Sequence, residues 1–173
     1  MKKVLTVVLG IALVVMVGAG IALIVLSART DADFSGQITR TIDAACPRVE
    51  ALLLDIEGRQ DHRHEVVGID RTGTNTAGLP TWTETMDLGG EARVEIARHE
   101  PGRLVAIRLI ESSFGMTGTW TYALAAEGTS CTVTITETSS IESWFVRAMY
   151  GLSGRDAMLR NEMAVIKGHV AQP

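Results

Sequence analysis

Asp61-His62-Arg63-His64-Glu65 packs four side chains able to hold a metal or move a proton, and one arginine, into consecutive positions. On a strand, His62 and His64 would point to one side and could chelate a single ion. A zinc site needs further ligands, and His99 and His169 lie far along the chain with nothing in the sequence to bring them near. A solvated segment with an arginine between two histidines is the plainer reading. His62 and His64 are therefore weak metal candidates, and no metal or other cofactor is expected.

Glu84 is the sharper residue. In the alternating stretch Thr81 to Asp87 it shares a face with Trp82 and Met86. An acid facing inward among such groups needs a cationic partner or a raised pKa, as a general acid or base has. Arg108 is one candidate partner. It interrupts the even set Leu104, Ala106 and Ile110, whereas the odd set Val105, Ile107 and Leu109 is wholly apolar and reads as the core face, which turns Arg108 outward. The plain alternative leaves Glu84 at the sheet rim, paired or solvated. Glu84 is the one weak catalytic candidate. No Gly-x-Ser-x-Gly occurs, and Gly89-Gly90 reads as a hairpin turn rather than a phosphate loop. Cys46 and Cys131 could pair outside the cytoplasm, but Cys131 sits on the inward face of a strand pattern, and a small buried thiol is the preferred reading.

The elements that must position these groups begin with a membrane span. Val4 to Leu26 carries no charge, and as a helix it would extend about 34 Å, enough for a hydrocarbon core of ~30 Å. A cleaved signal has an apolar core of only ~7–15 residues and a small-x-small cleavage site, whereas this run is longer and ends Leu26-Ser27-Ala28. An uncleaved anchor is expected. Lys2 and Lys3 precede it, so the positive-inside rule keeps the N-terminus cytoplasmic and the domain periplasmic or extracellular. Residues 1–26 are read as anchor, 27–33 as linker and 34–173 as one domain.

The chain has a formal net charge of −4, and without Lys2 and Lys3 the remainder is more acidic still. That balance argues against nucleic acid as a partner. Beyond the linker, Phe34 to Asp43 reads as a strand with Phe34, Ile38 and Ile42 on one face. Pro47 lies early in a helix running to about Glu57, with Val49, Leu52, Leu53 and Ile56 at helical spacing. Short strands follow: one at Val66 to Ile69, a loop from Arg71 to Leu79, then Thr81 to Asp87, Ala92 to His99, Leu104 to Glu111, Thr119 to Ala126 and Cys131 to Thr138. Ile141, Trp144, Phe145, Met149 and Leu152, then Leu159, Met163, Ile166 and Val170, mark a long amphipathic helical element, broken or bent at Gly151 and Gly154.

The order strand, helix, antiparallel strands, helix resembles the START-like (SRPBCC) superfamily, the α+β helix-grip fold. The similarity rests on Ile42-Asp-Ala-Ala-Cys-Pro-Arg-Val49, Leu54-Asp55, Phe114-Gly-Met-Thr-Gly-Thr-Trp120 with Tyr122, Val133-Thr-Ile-Thr-Glu137 and Glu142-Ser-Trp-Phe-Val-Arg-Ala-Met149. Where the family often has a tryptophan near the second strand, this chain reads Asp61 to Glu65. The resemblance implies about six or seven strands wrapped on the C-terminal helix. It also implies a cavity lined by Trp82, Glu84, Met86, Trp120 and Tyr122 from the sheet and Phe145, Leu159 and Met163 from the helix, against the alternative of an ordinary packed core. The expected function is a membrane-anchored domain binding a lipid, quinone or polyketide-like molecule, more a binder than an enzyme. A cyclase/dehydrase-type enzyme using the same cavity is one alternative. An envelope interaction module with a filled core and an exposed patch around Trp144 and Phe145 is the other. No oligomeric state follows from the sequence.

Overall fold

Period-two alternation of apolar and polar residues produces seven strands, each hiding one face. The computed structural model describes residues 2–170, with side chains from Leu9 onward apart from that of His62. The elements are α1 (Lys2–Arg29), β1 (Asp33–Ile42), α2 (Cys46–Leu54), α3 (Arg59–His62), β2 (Val66–Thr74), β3 (Pro80–Met86), β4 (Glu91–Glu100), β5 (Leu104–Ser112), β6 (Met116–Glu127), β7 (Ser130–Ile141), α4 (Trp144–Ser153) and α5 (Ala157–Val170). The strands form one antiparallel sheet in the order β1-β7-β6-β5-β4-β3-β2. Only the β1–β7 pairing joins strands distant in sequence; every other neighbour is a hairpin.

The register lines up the inward residues across the sheet. Trp82 stands opposite Val94, Val94 opposite Leu109, Ile107 opposite Trp120, and Tyr122 opposite Ile135. All but the partly exposed Leu109 are buried. The odd face of β5 is thus the core face, and Arg108 points outward to pair with Glu95 of β4. On the other face of β7, Thr132 and Thr134 bond across to Thr41 and Thr39 at 3.0 and 2.9 Å, a solvated threonine row. α5 lays Leu159, Met163, Ile166 and Val170 into the sheet's apolar face.

Four expectations need correction. Cys46 and Cys131 are disulfide-bonded rather than free thiols. Ile42 at the end of β1 pairs with Cys131, so the short turn into α2 returns Cys46 to within 4.9 Å between Cα atoms. β2 runs on to Thr74 through residues expected to be loop, because its backbone still has β3 to pair with; shifts in register at Val66/Gly68 and Arg71/Gly73 hide the alternation. His62 ends a single helical turn instead of entering a strand, so it and His64 do not share a strand face. Three of the seven residues expected as linker are helical: α1 continues through Arg29 and leaves only 30–32 before β1. The C-terminal element is broken at its glycines into two helices. Gly154, at φ 90°, separates α4 from α5; α5 packs on β1 and β7 with α2 beside it, while α4 packs mainly against α1.

Candidate functional site

A cavity of about 120 Å3 lies between the inner face of the sheet and α5. Met86, Ala92, Val94, Ile107, Leu109, Met116 and Trp120 line it from the strands, Phe114 from the β5–β6 link, and Met158 from α5. One end is polar. There Arg59 and Arg63, from α3 and the residue following it, meet Glu65, Glu84, Tyr122 and Glu162.

The polar end is built of paired charges. Arg59 Nε donates to Glu84 Oε1 at 2.6 Å, and Trp82 Nε1 donates to the same oxygen at 3.0 Å. The Arg59 guanidinium also lies 5.4 Å from the centre of the Trp82 ring. Arg63 is ion-paired with Glu162, whose other oxygen accepts from Tyr122 Oη at 2.7 Å. Burial by itself would raise the Glu84 pKa. The Arg59 and Arg63 charges, with the hydrogen bonds from Trp82 and Arg59, outweigh it and hold the carboxyl below its usual range. Burial lowers the Arg63 pKa and raises that of Tyr122.

A second polar group lies inside the core near the α4–α5 junction. Glu137, opposite Trp120 in the register, is fully buried, and its Oε1 accepts from Ser139 Oγ at 2.6 Å. Burial pushes its pKa up. Arg155 stacks on Phe34 and Tyr150 at 5.0 and 5.1 Å and reaches Ser139 Oγ at 3.4 Å. Arg155 Nε and Nη1 are buried without hydrogen-bond partners among the described residues.

Of the expected cavity residues, Glu84, Met86, Trp120 and Tyr122 line this cavity. Trp82 does not; it stands behind Glu84, fixing its oxygen, and borders a separate outer hollow of about 550 Å3 beside Arg93, Glu95 and Arg108. Leu159 and Met163 are packed core residues and do not line the cavity, because the neighbouring Met158 and Glu162 face it instead. Phe145 is on the surface of α4, away from the sheet. His64 is exposed, with Nδ1 3.5 Å from Glu65; the His62 side chain lies outside the described residues. No group of three or more metal-ligating side chains occurs among the described residues.

Sequence reasoning missed Arg59, Arg63, Glu162 and Glu137. The first two sit in a charged stretch that reads as solvent-facing. A signal existed for the others: Glu162 lies three positions after Leu159 and four before Ile166, and Glu137 continues the odd face of Cys131, Val133 and Ile135.

A profile of the family described as polyketide cyclase/dehydrase and lipid transport matches residues 33–163. The chain belongs to this family. Its START-like fold is shared by solved structures at low identity. A START superfamily protein from Mycobacterium smegmatis superposes with a TM-score of 0.61 at 12% identity, covering 79% of this chain and 96% of that one. The ZhuI aromatase/cyclase from Streptomyces sp. R1128 gives 0.61 at 14% identity, covering 80% and 93%. Truncated norcoclaurine synthase from Thalictrum flavum gives 0.62 at 12% identity, covering 83% and 97%. No curated protein matches the sequence. Family membership and the helix-grip architecture agree with the resemblance read from the sequence. One helix, Leu9–Arg29 within the described residues, is long and apolar enough to cross a membrane.

Proposed function

We propose that this chain is a membrane-anchored START-like domain that binds a hydrophobic small molecule between its sheet and α5. The carrying observation is the partly open cavity, apolar along most of its wall and bounded at one end by Arg59, Arg63 and Tyr122 with their carboxylate partners. Apolar walls with a few convergent polar groups are the usual form of a ligand site. The volume sets a size limit. It is close to an engineered cavity of about 150 Å3 that takes benzene, and below the roughly 300–1,000 Å3 of drug-sized sites. A ring or a short acyl segment fits; a lipid or quinone would place only its end inside, its polar atoms meeting the arginine end.

Several features support the anchor. The apolar helix is long, Lys2 and Lys3 precede it, and the Cys46–Cys131 bond belongs to an oxidising compartment, which favours a periplasmic or extracellular domain. The link of residues 30–32 spans at most ~11 Å fully extended, so the cavity stays beside the bilayer, where apolar ligands are concentrated.

The electrostatics favour binding over acid/base chemistry. Glu84 is ionised at neutral pH and already committed to Arg59, leaving it no proton to give. The enzyme alternative draws on the two buried carboxylates, Glu84 and Glu162, and requires a substrate that displaces one arginine. Mass spectrometry of small molecules co-purifying with detergent-extracted full-length protein tests the binding proposal. Retention of an apolar compound, displaced by a ring-bearing competitor, is expected. An empty protein that also takes up no such competitor would overturn it.

A further inference from the structure

We propose that α4 is an interfacial membrane helix, seated in the lipid surface beside the end of the α1 span. The inference rests on the reading of α1 as an anchor.

α4 presents three distinct faces. Val146 and Tyr150 pack on the domain core. Gly151 meets α1, where an added Cβ would lie 2.7 Å from Leu26 Cγ and 2.6 Å from Thr30 Oγ1, and Ala148 is fully buried. Small residues permit this close helix contact. The third face has no partner among the described residues: Phe145, Met149 and Leu152, spaced four and three apart, are 51%, 47% and 67% exposed, and Trp144 beside them is 52% exposed. The helix contains no acid, and its one charge is Arg147. A cluster of large apolar side chains open to solvent marks a surface that something covers.

The position of α4 identifies the cover. Gly20, Leu23, Leu26 and Ser27, one stripe of α1, lose exposure, whereas Ile21, Ile24 and Val25 keep it. α4 therefore lies alongside the last turns of the span, at the level where hydrocarbon gives way to headgroups. The exposed face of α4 continues the lipid-facing surface of α1. Tryptophan favours that level, and an amphipathic helix there buries its apolar face by ~5–10 Å. α4 also reaches the cavity, because Tyr150 Oη donates to the cavity-lining Met116 Sδ at 3.9 Å. The helix on the lipid surface is thus one side chain from the ligand space.

Tryptophan fluorescence of the full chain in phosphatidylcholine vesicles tests this, because Trp82 and Trp120 are buried and Trp144 is not. Subtracting the spectrum of a Trp144→Phe variant isolates the Trp144 signal. Lipids brominated near the headgroup end of their chains should quench roughly half of that signal if the ring sits at headgroup level, while aqueous acrylamide leaves it largely intact. A Trp144 signal quenched by acrylamide and not by brominated lipid would overturn the proposal. So would a signal shielded from both that changes on dilution with lipid, which would mean a second copy of the chain covers α4. Flotation with the vesicles and intact mass report separately on the anchor: a chain lacking its N-terminal residues would remove the span reading and this proposal with it, whereas an anchored chain with acrylamide-quenched Trp144 removes this proposal alone.

Discussion

Two buried glutamates have opposite electrostatic fates. Glu84 faces Arg59 and Arg63, so the folded protein holds its pKa below the ordinary 4.5. Its contribution to stability is present above that value and is lost as pH falls toward the folded pKa. Glu84→Gln should cost about 3 kcal/mol at pH 7, the low end for breaking a buried pair because Arg59 keeps 12% of its side-chain surface. Denaturant titrations should show that deficit shrinking as acid neutralises the wild-type carboxylate; an equal deficit at all pH values would mean Glu84 acts through packing alone. Glu137 has no ion pair among the described residues, and burial raises its pKa above 4.5. The folded state then holds a proton that the unfolded state releases, so stability falls as pH rises from 4.5 toward the folded pKa. Glu137→Gln should gain stability relative to wild type over that rise, and a pH-independent difference would contradict the assignment. The inward placement of Glu84 was legible because strand alternation fixes side. Its partner was not: Arg59 precedes it by 25 positions on a single helical turn that no periodicity marks.

At the level of elements, hairpins were the readable part. Gly89-Gly90, Pro101-Gly102 and Glu127-Gly128 each close a turn, and Gly89, Gly90, Gly102 and Gly128 all take positive φ. β2 was only half visible because its register shifts break the alternation that sequence reading relies on. The disulfide was misjudged for a related reason: an inward strand residue reads as core whether or not it is bonded. The bond ties α2 to β7 across 85 residues, the longest-range covalent constraint in the chain. A paired Cys46→Ala, Cys131→Ala variant should lose roughly 4 kcal/mol, as expected for closing a loop of that size. Its thermal unfolding should match that of the reduced wild type. Unchanged stability in both would show that the bond is dispensable.

For the whole molecule, the small cavity and the short link to the span are the determining features. Ala92 lines the cavity and is itself buried, so Ala92→Leu should fill part of the 120 Å3. Ligand retention should fall by about tenfold or more, with a stability change within ~1–3 kcal/mol because the new side chain enters open space. Undiminished retention with a folded protein would place the ligand elsewhere. The amino-acid sequence by itself determined the apolar span, the strand order, the inward faces and the family resemblance. These follow from composition and local period, which are properties of neighbouring residues. Tertiary structure alone decided that Cys46 meets Cys131, that Arg59 and Arg63 neutralise Glu84 and Glu162, and that Met158 rather than Leu159 faces the cavity. It alone brought α4 against the apolar helix α1. Each of these is a contact between segments far apart in the chain, set by how the sheet curls and where α5 lies across it, and no local pattern encodes that.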